Sequence, residues 1–179
     1  DLLAQMKHFQ KIAKFTAQSA NQSKMWYDKL MQITVHNLTE LTEVAQRLAE
    51  NLPMKFCLEL IGDVGAGKTT LTKVLVEKLG SNDEVTSPSF AINNRYQLND
   101  GREVSHYDFY RLGEAGAMSQ ELLEDLVNPQ ACVIVEWAET VSQILPAERL
   151  QMTITTLADG GRRLELVGFD TGNMNMEQN

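Results

Sequence analysis

Apolar residues along this chain recur at two spacings, three-to-four and two, and each change of spacing marks an element. Residues 33–35 read as a short strand. Asn37 followed by Glu40 is a helix-start signal, and Leu41, Val44, Ala45, Leu48 and Leu52 then line one helical face before Pro53. Over residues 56–61 five of six positions suit a buried strand; helical spacing returns at Leu71, Val74, Leu75 and Leu79, with Gly80 as the stop. Residues 90–98 and 103–110 are strand-like around the reversal Asn99, Asp100 and Gly101, which predicts a hairpin. Residues 121–127 predict a short helix and 131–135 a continuous apolar strand. Alternation resumes at 150–157 and 163–169 about an Asp-Gly tip, a second hairpin. The whole predicts one α/β domain, with a polar tail at 170–179.

Between the second strand and its helix lies a loop, residues 62–69, that fits G-x-x-x-x-G-K-[ST]. Gly62, Gly65 and Gly67 lack Cβ atoms, so the backbone through Asp63, Val64 and Ala66 is free to curl its N–H groups around a phosphate oxygen. Lys68 supplies a point charge for the β- and γ-phosphates, the Thr69 hydroxyl a ligand for magnesium, and Thr70 a second hydroxyl. The helix start beneath them favours an anion. A strand, this loop and a helix in succession predict a P-loop NTPase-like fold binding a nucleoside triphosphate with Mg2+.

Such a site also needs an acid beside the metal, at the carboxyl edge of a parallel sheet. The apolar strand 131–135 delivers Glu136 there, the first candidate; Asp108 is the second, in a stretch where His106, Asp108 and Arg111 crowd together. Trp137 follows Glu136. By default it is a core residue, but its place beside the metal ligand makes it a candidate for a nucleotide-dependent partner surface. No Asn-Lys-x-Asp or Asp-x-x-Gly segment occurs, which argues against guanine specificity. Basic residues suited to a kinase lid are sparse (Arg111, Arg162 and Arg163), so hydrolysis leads over phosphoryl transfer.

Composition narrows the partners. A net charge of −8 and a pI near 4.9 repel phosphate backbones at long range and disfavour direct nucleic-acid binding. No apolar run approaches the roughly 20 residues that span a bilayer. Cys57 and Cys132 sit in apolar strands without metal spacing, which reads as two buried thiols in a reducing cytoplasm; His8, His36 and His106 are too scattered for zinc. Residues 1–32 differ from the rest: Leu2, Met6, Phe9, Ala13, Ala17 and Ala20 form a helical stripe, and five lysines face two aspartates. This basic amphipathic arm, broken at residues 19–23, reads as an accessory helix packed on its own domain or on a neighbour. A start at Asp1 rather than Met suggests a processed, truncated or fused product.

Four motifs together resemble one family: GDVGAGKTT at 62–70, VTSPSF at 85–90, HYDFYRL at 106–112 and VIVEWAE at 133–139. Their order and spacing are similar to those of the bacterial TsaE (YjeE) ATPases of tRNA threonylcarbamoyladenosine biosynthesis, from about residue 33 to 169. The resemblance implies that Thr69, Asp108 and Glu136 gather around magnesium, that Thr86 lies on a switch-like loop facing the nucleotide, and that Arg162 reaches ATP. It also implies a single domain over residues 33–169, a mixed sheet flanked by helices, and cytoplasmic ATP hydrolysis serving a TsaB–TsaD partner pair, with tRNA met only through that complex. Ser89 stands where the family commonly has Thr, Thr39 and Thr42 compete for a nucleotide-side position on the first helix, and residues 1–32 have no family counterpart. Two alternatives stay open: a small-molecule kinase, and a binding module that uses ATP only as a conformational ligand.

Overall fold

A computed structural model describes residues 31–88, 93–110 and 116–168. The expected N-terminal helix and polar tail fall outside these residues, as does Arg111; only Met31 and Gln32 of the arm are described, and they open the first strand.

The elements run β1 (Met31–Val35), α1 (Leu38–Asn51), β2 (Cys57–Ile61), α2 (Lys68–Lys78), β3 (Asn93–Gln97), β4 (Glu103–Asp108), α3 (Gly116–Val127), β5 (Ala131–Glu136), β6 (Leu150–Thr156) and β7 (Arg162–Val167). Seven strands form one mixed sheet in the order β1-β7-β6-β2-β5-β4-β3. The four central strands, β6, β2, β5 and β4, are parallel, and the outer pairings are antiparallel. Both expected hairpins therefore form, each adding antiparallel strands outside a parallel centre.

Local chemistry sets the boundaries. Asn37 caps α1, its side chain accepting from the Glu40 amide at 3.0 Å, while the Glu40 carboxylate accepts from the His36 amide at 2.8 Å. Gly80, at φ 97°, ends α2. Helix α3 begins five residues before the expected start.

Burial explains the strand patterns. Along β5 successive side chains enter opposite layers: Cys132 and Ile134 join α1 and α2, whereas Val133 and Val135 join Leu122, Leu126, Val141 and Ile144 on the other face. A strand covered on both faces reads as an unbroken apolar run. In β2, Leu58 and Leu60 face α1 and α2, and the odd residue, Glu59, lies on the opposite face. There the Arg149 Nε–H donates to Glu59 Oε2 at 2.6 Å and the Gln151 side-chain amide donates at 2.8 Å. Cys132 is buried as expected; Cys57 is only half-buried, packed against the apolar cluster of Val133 and Val135. No helix among the described residues is long and apolar enough to cross a membrane.

Candidate nucleotide-binding site

Strand alternation puts His106 and Asp108 of β4, like Val104, on the sheet face that α2 covers, and Glu136 of β5, like Ile134, on the same face. Parallel register sets Asp108 directly beside Glu136, and Glu136 beside Leu60. Both acids thus stand at the carboxyl edge, next to the loop that leaves β2.

The loop takes the conformations its glycines allow. Gly65 and Gly67 have φ values of 79° and 113°, and a Cβ at either would meet nothing within 4 Å, so these two face open space. At Gly62 (φ 153°) a Cβ would lie 2.6 Å from the Ile154 carbonyl oxygen of β6. Absence of a side chain there lets the loop root sit against the sheet.

Lys68, at the first turn of α2, donates to the Gly62 and Asp63 carbonyls at 2.7 and 3.0 Å, and its ammonium stands 4.3 Å from the centroid of the Trp137 ring. The Thr69 hydroxyl is 3.4 Å from Glu136 Oε1. Val64, Gly65, Thr69, Ser87, Asp108 and Trp137 are among the walls of an open cleft of about 320 Å3, which also includes Lys68, Thr70 and Glu136. A second cleft of about 270 Å3 lies across the loop, sharing Gly65, Gly67 and Thr70 and walled by Val35, Leu41, Ile154 and Leu164. Arg162 borders it and donates to the carbonyls of Ala66, Gly160 and Gly161 at 2.9, 2.7 and 3.0 Å. One cleft is polar and acid-lined, the other mostly apolar, and the loop joins them.

The structure brings Lys68, Thr69, Thr70, Asp108, Glu136 and Trp137 into one cleft and sets Arg162 at the neighbouring one. Thr86 is exposed; its hydroxyl accepts from the Asn94 amide at 3.3 Å and its carbonyl accepts from the Tyr96 hydroxyl at 3.0 Å, while the adjacent Ser87 lines the acid-lined cleft. Three features escape a reading of the sequence. The apolar cleft is built partly from the β1–α1 junction, where Leu41 reads only as helix core. Tyr110, 54% exposed, packs on Trp137 with ring centroids 4.8 Å apart. His106, fully buried, joins its Nε2 to Glu136 Oε1 at 2.9 Å; the histidine was visible among its charged neighbours, but its partner lies 30 residues on.

The donor set suits a hard divalent ion: one hydroxyl and two carboxylates, all oxygen, leaving coordination positions for phosphate and water as Mg2+ demands. Among the described residues no cluster of three or more His, Cys, Asp or Glu side chains forms a metal cage.

Comparison with known proteins agrees with this geometry. The family model "Threonylcarbamoyl adenosine biosynthesis protein TsaE" matches residues 35–164, a span containing every site residue above. A tRNA threonylcarbamoyladenosine biosynthesis protein TsaE from Bacillus subtilis is 41% identical over 109 residues, 60% of this chain and 66% of that protein, just under two thirds of its length. The protein of the same description from Streptomyces coelicolor is 37% identical over 115 residues, 64% of this chain and 78% of that one. The crystal structure of Bacillus subtilis YdiB superposes with a TM-score of 0.61 at 32% identity, covering 80% of this chain and 88% of that chain.

Proposed function

Because the chain belongs to the TsaE family, we propose that it binds ATP with Mg2+ at residues 62–70 and hydrolyses it in support of tRNA threonylcarbamoyladenosine formation. The observation that carries this reading is the convergence of a phosphate loop, Thr69, Asp108 and Glu136 on one cleft at the carboxyl edge of the parallel strands.

Each residue has a definable part. Lys68 exchanges the Gly62 and Asp63 carbonyls for phosphate oxygens, trading neutral acceptors for charged ones. The backbone N–H groups of the loop and the first turn of α2 hold the phosphates in line. Thr69, Asp108 and Glu136 would hold Mg2+, which when bound offsets the charge of the terminal phosphates. Val35, Leu41, Ile154 and Leu164 offer apolar walls to the adenine, with Arg162 at the border, and the loop that carries Thr86 reaches the acid-lined cleft through Ser87. The energy of hydrolysis serves a TsaB-like and TsaD-like pair in the cytoplasm, and tRNA is met through that pair. Trp137, half-buried, and the exposed Tyr110 and Val64 rim the acid-lined cleft and form the side we assign to the partner.

Calorimetry with MgATP and MgGTP, followed by phosphate release, tests the site. ATP should bind more tightly than GTP, and Lys68→Ala should lose turnover and about 100-fold in affinity while keeping its fold. Unchanged ATP binding by Lys68→Ala refutes the assignment. For the partner, titration of the pair and of bare tRNA should show nucleotide-dependent affinity for the pair alone, and indifference to nucleotide refutes it.

A further inference from the structure

The least expected group at the carboxyl edge is His106. Its neighbours along β4, Val104 and Tyr107, are core residues, and it is itself fully buried. Yet it is polar, and the one hydrogen bond its side chain makes among the described residues, at Nε2, ends on Glu136 Oε1. Carboxylate oxygens accept, so in this pair Nε2 is the donor. Nδ1 has no partner and no access to solvent. A buried N–H left unpaired costs more than an unused lone pair, so the geometry favours the proton at Nε2 over Nδ1.

Glu136 is 2% exposed, and its other described contact, the Thr69 hydroxyl, is long at 3.4 Å and ends on the same oxygen. In the proposed reading that hydroxyl is a magnesium ligand, which leaves His106 as the strong protein donor to Glu136. We infer that His106 is a positioning residue: its Nε2–H anchors Oε1 and so sets the direction in which the Glu136 carboxylate meets the metal and terminal phosphate. This deepens the proposed ATPase reading and rests on it for its functional consequence. A donor behind a metal-binding group commonly changes metal affinity or activity about 10- to 100-fold when removed.

The experiment uses the full chain and three readouts. Nitrogen-15 NMR of the imidazole, without nucleotide, should show His106 protonated at Nε2 and bare at Nδ1. Mn2+ binding to the ADP-loaded protein, followed by electron paramagnetic resonance, and ATP turnover should both fall about 10- to 100-fold in His106→Phe, which keeps the ring's bulk and removes the donor. His106→Gln, whose amide reaches the place of Nε2, should recover most of that loss, whereas His106→Asn should not. In a Glu136→Gln background, His106→Phe should cost under about threefold more, because the two act as one unit. Full Mn2+ affinity in His106→Phe, an Nδ1–H tautomer, or additive losses in the double variant would overturn the inference. If the parent protein binds ADP without any Mn2+ enhancement, the ATPase reading fails instead, and the tautomer measurement still judges the hydrogen bond.

Discussion

Replacing Gly62 by alanine should damage the protein far more than the same change at Gly65, although both glycines belong to one loop. At Gly62 the new methyl carbon would lie 2.6 Å from the Ile154 carbonyl oxygen, at a backbone φ of 153°. Ile154 cannot retreat, because β6 is hydrogen-bonded on one side to β2 and on the other to β7. Overpacking of this kind costs about 1–3 kcal/mol, and backbone strain adds about 1–3 kcal/mol. The lost freedom of the unfolded chain returns about 0.4–1 kcal/mol. The net is a destabilisation of about 1–6 kcal/mol, centred on about 3 kcal/mol, which is roughly 6–12 °C in melting temperature for a chain of this size. At Gly65 the φ is 79° and nothing lies within 4 Å, so only the left-handed conformation is charged, about 1–2 kcal/mol. Differential scanning calorimetry of the two variants without nucleotide decides the matter. Equal shifts, or a smaller one at Gly62, would refute the claim that contact with β6 seats the loop.

Three further outcomes follow from other parts of the molecule. Arg149→Ala strands the Glu59 carboxylate, whose side chain is 11% exposed, and should cost about 2–4 kcal/mol in urea denaturation at pH 7; adding Glu59→Leu should restore most of it, and no loss in the single variant would show that Gln151 suffices. Desolvation of its thiol pushes Cys57 up to about 12 from 9.0, although the residue as a whole is half-buried, and burial raises Cys132 as well, so native protein at pH 8 should resist alkylation that proceeds in urea. Because the unfolded thiol ionises first, this contribution to stability is whole below pH 9 and is lost as pH rises toward 12; rapid native labelling of Cys57 would contradict it. Asp108→Asn and Glu136→Gln should each lower ATP turnover about 100-fold, while ATP affinity measured by calorimetry moves under about tenfold. Normal turnover in either variant removes that residue from the metal site.

What was legible in the sequence is what depends on near neighbours. The β2 strand, the glycine loop and α2 could be read off because their signals lie within a few residues of each other. The pairing of two acids was legible in kind, since an apolar strand ending in a carboxylate is a local pattern; that Asp108 and Glu136 are side by side depends on the β4–β5 register. Glu59 interrupts β2's apolar run for a reason 90 residues distant, at Arg149. His106 is the same case at the site itself: the sequence shows a histidine in a strand, and only strand pairing supplies Glu136 as its partner. Thr86 and Ser87 are adjacent hydroxyls of equal promise in sequence, and the turn of the loop alone decides which of them lines the cleft.

Trp137 illustrates how such a conflict between local preference and place is resolved. Its backbone is left-handed, φ 56° and ψ 50°, and it is the one non-glycine residue with a positive φ among those described. For a bulky side chain that conformation costs about 1–2 kcal/mol, and a glycine would avoid it. A glycine would also leave Lys68 and Tyr110 without the indole that now lies 4.3 Å from the ammonium and 4.8 Å from the phenol ring. A partly desolvated cation–π contact contributes about 1–2 kcal/mol, enough to offset the strain without exceeding it by much. The ring therefore helps hold the lysine down on the Gly62 and Asp63 carbonyls. A triphosphate must draw that lysine away, so in the proposed reading nucleotide binding releases the Trp137 ring from its cation, at the rim we assign to the partner.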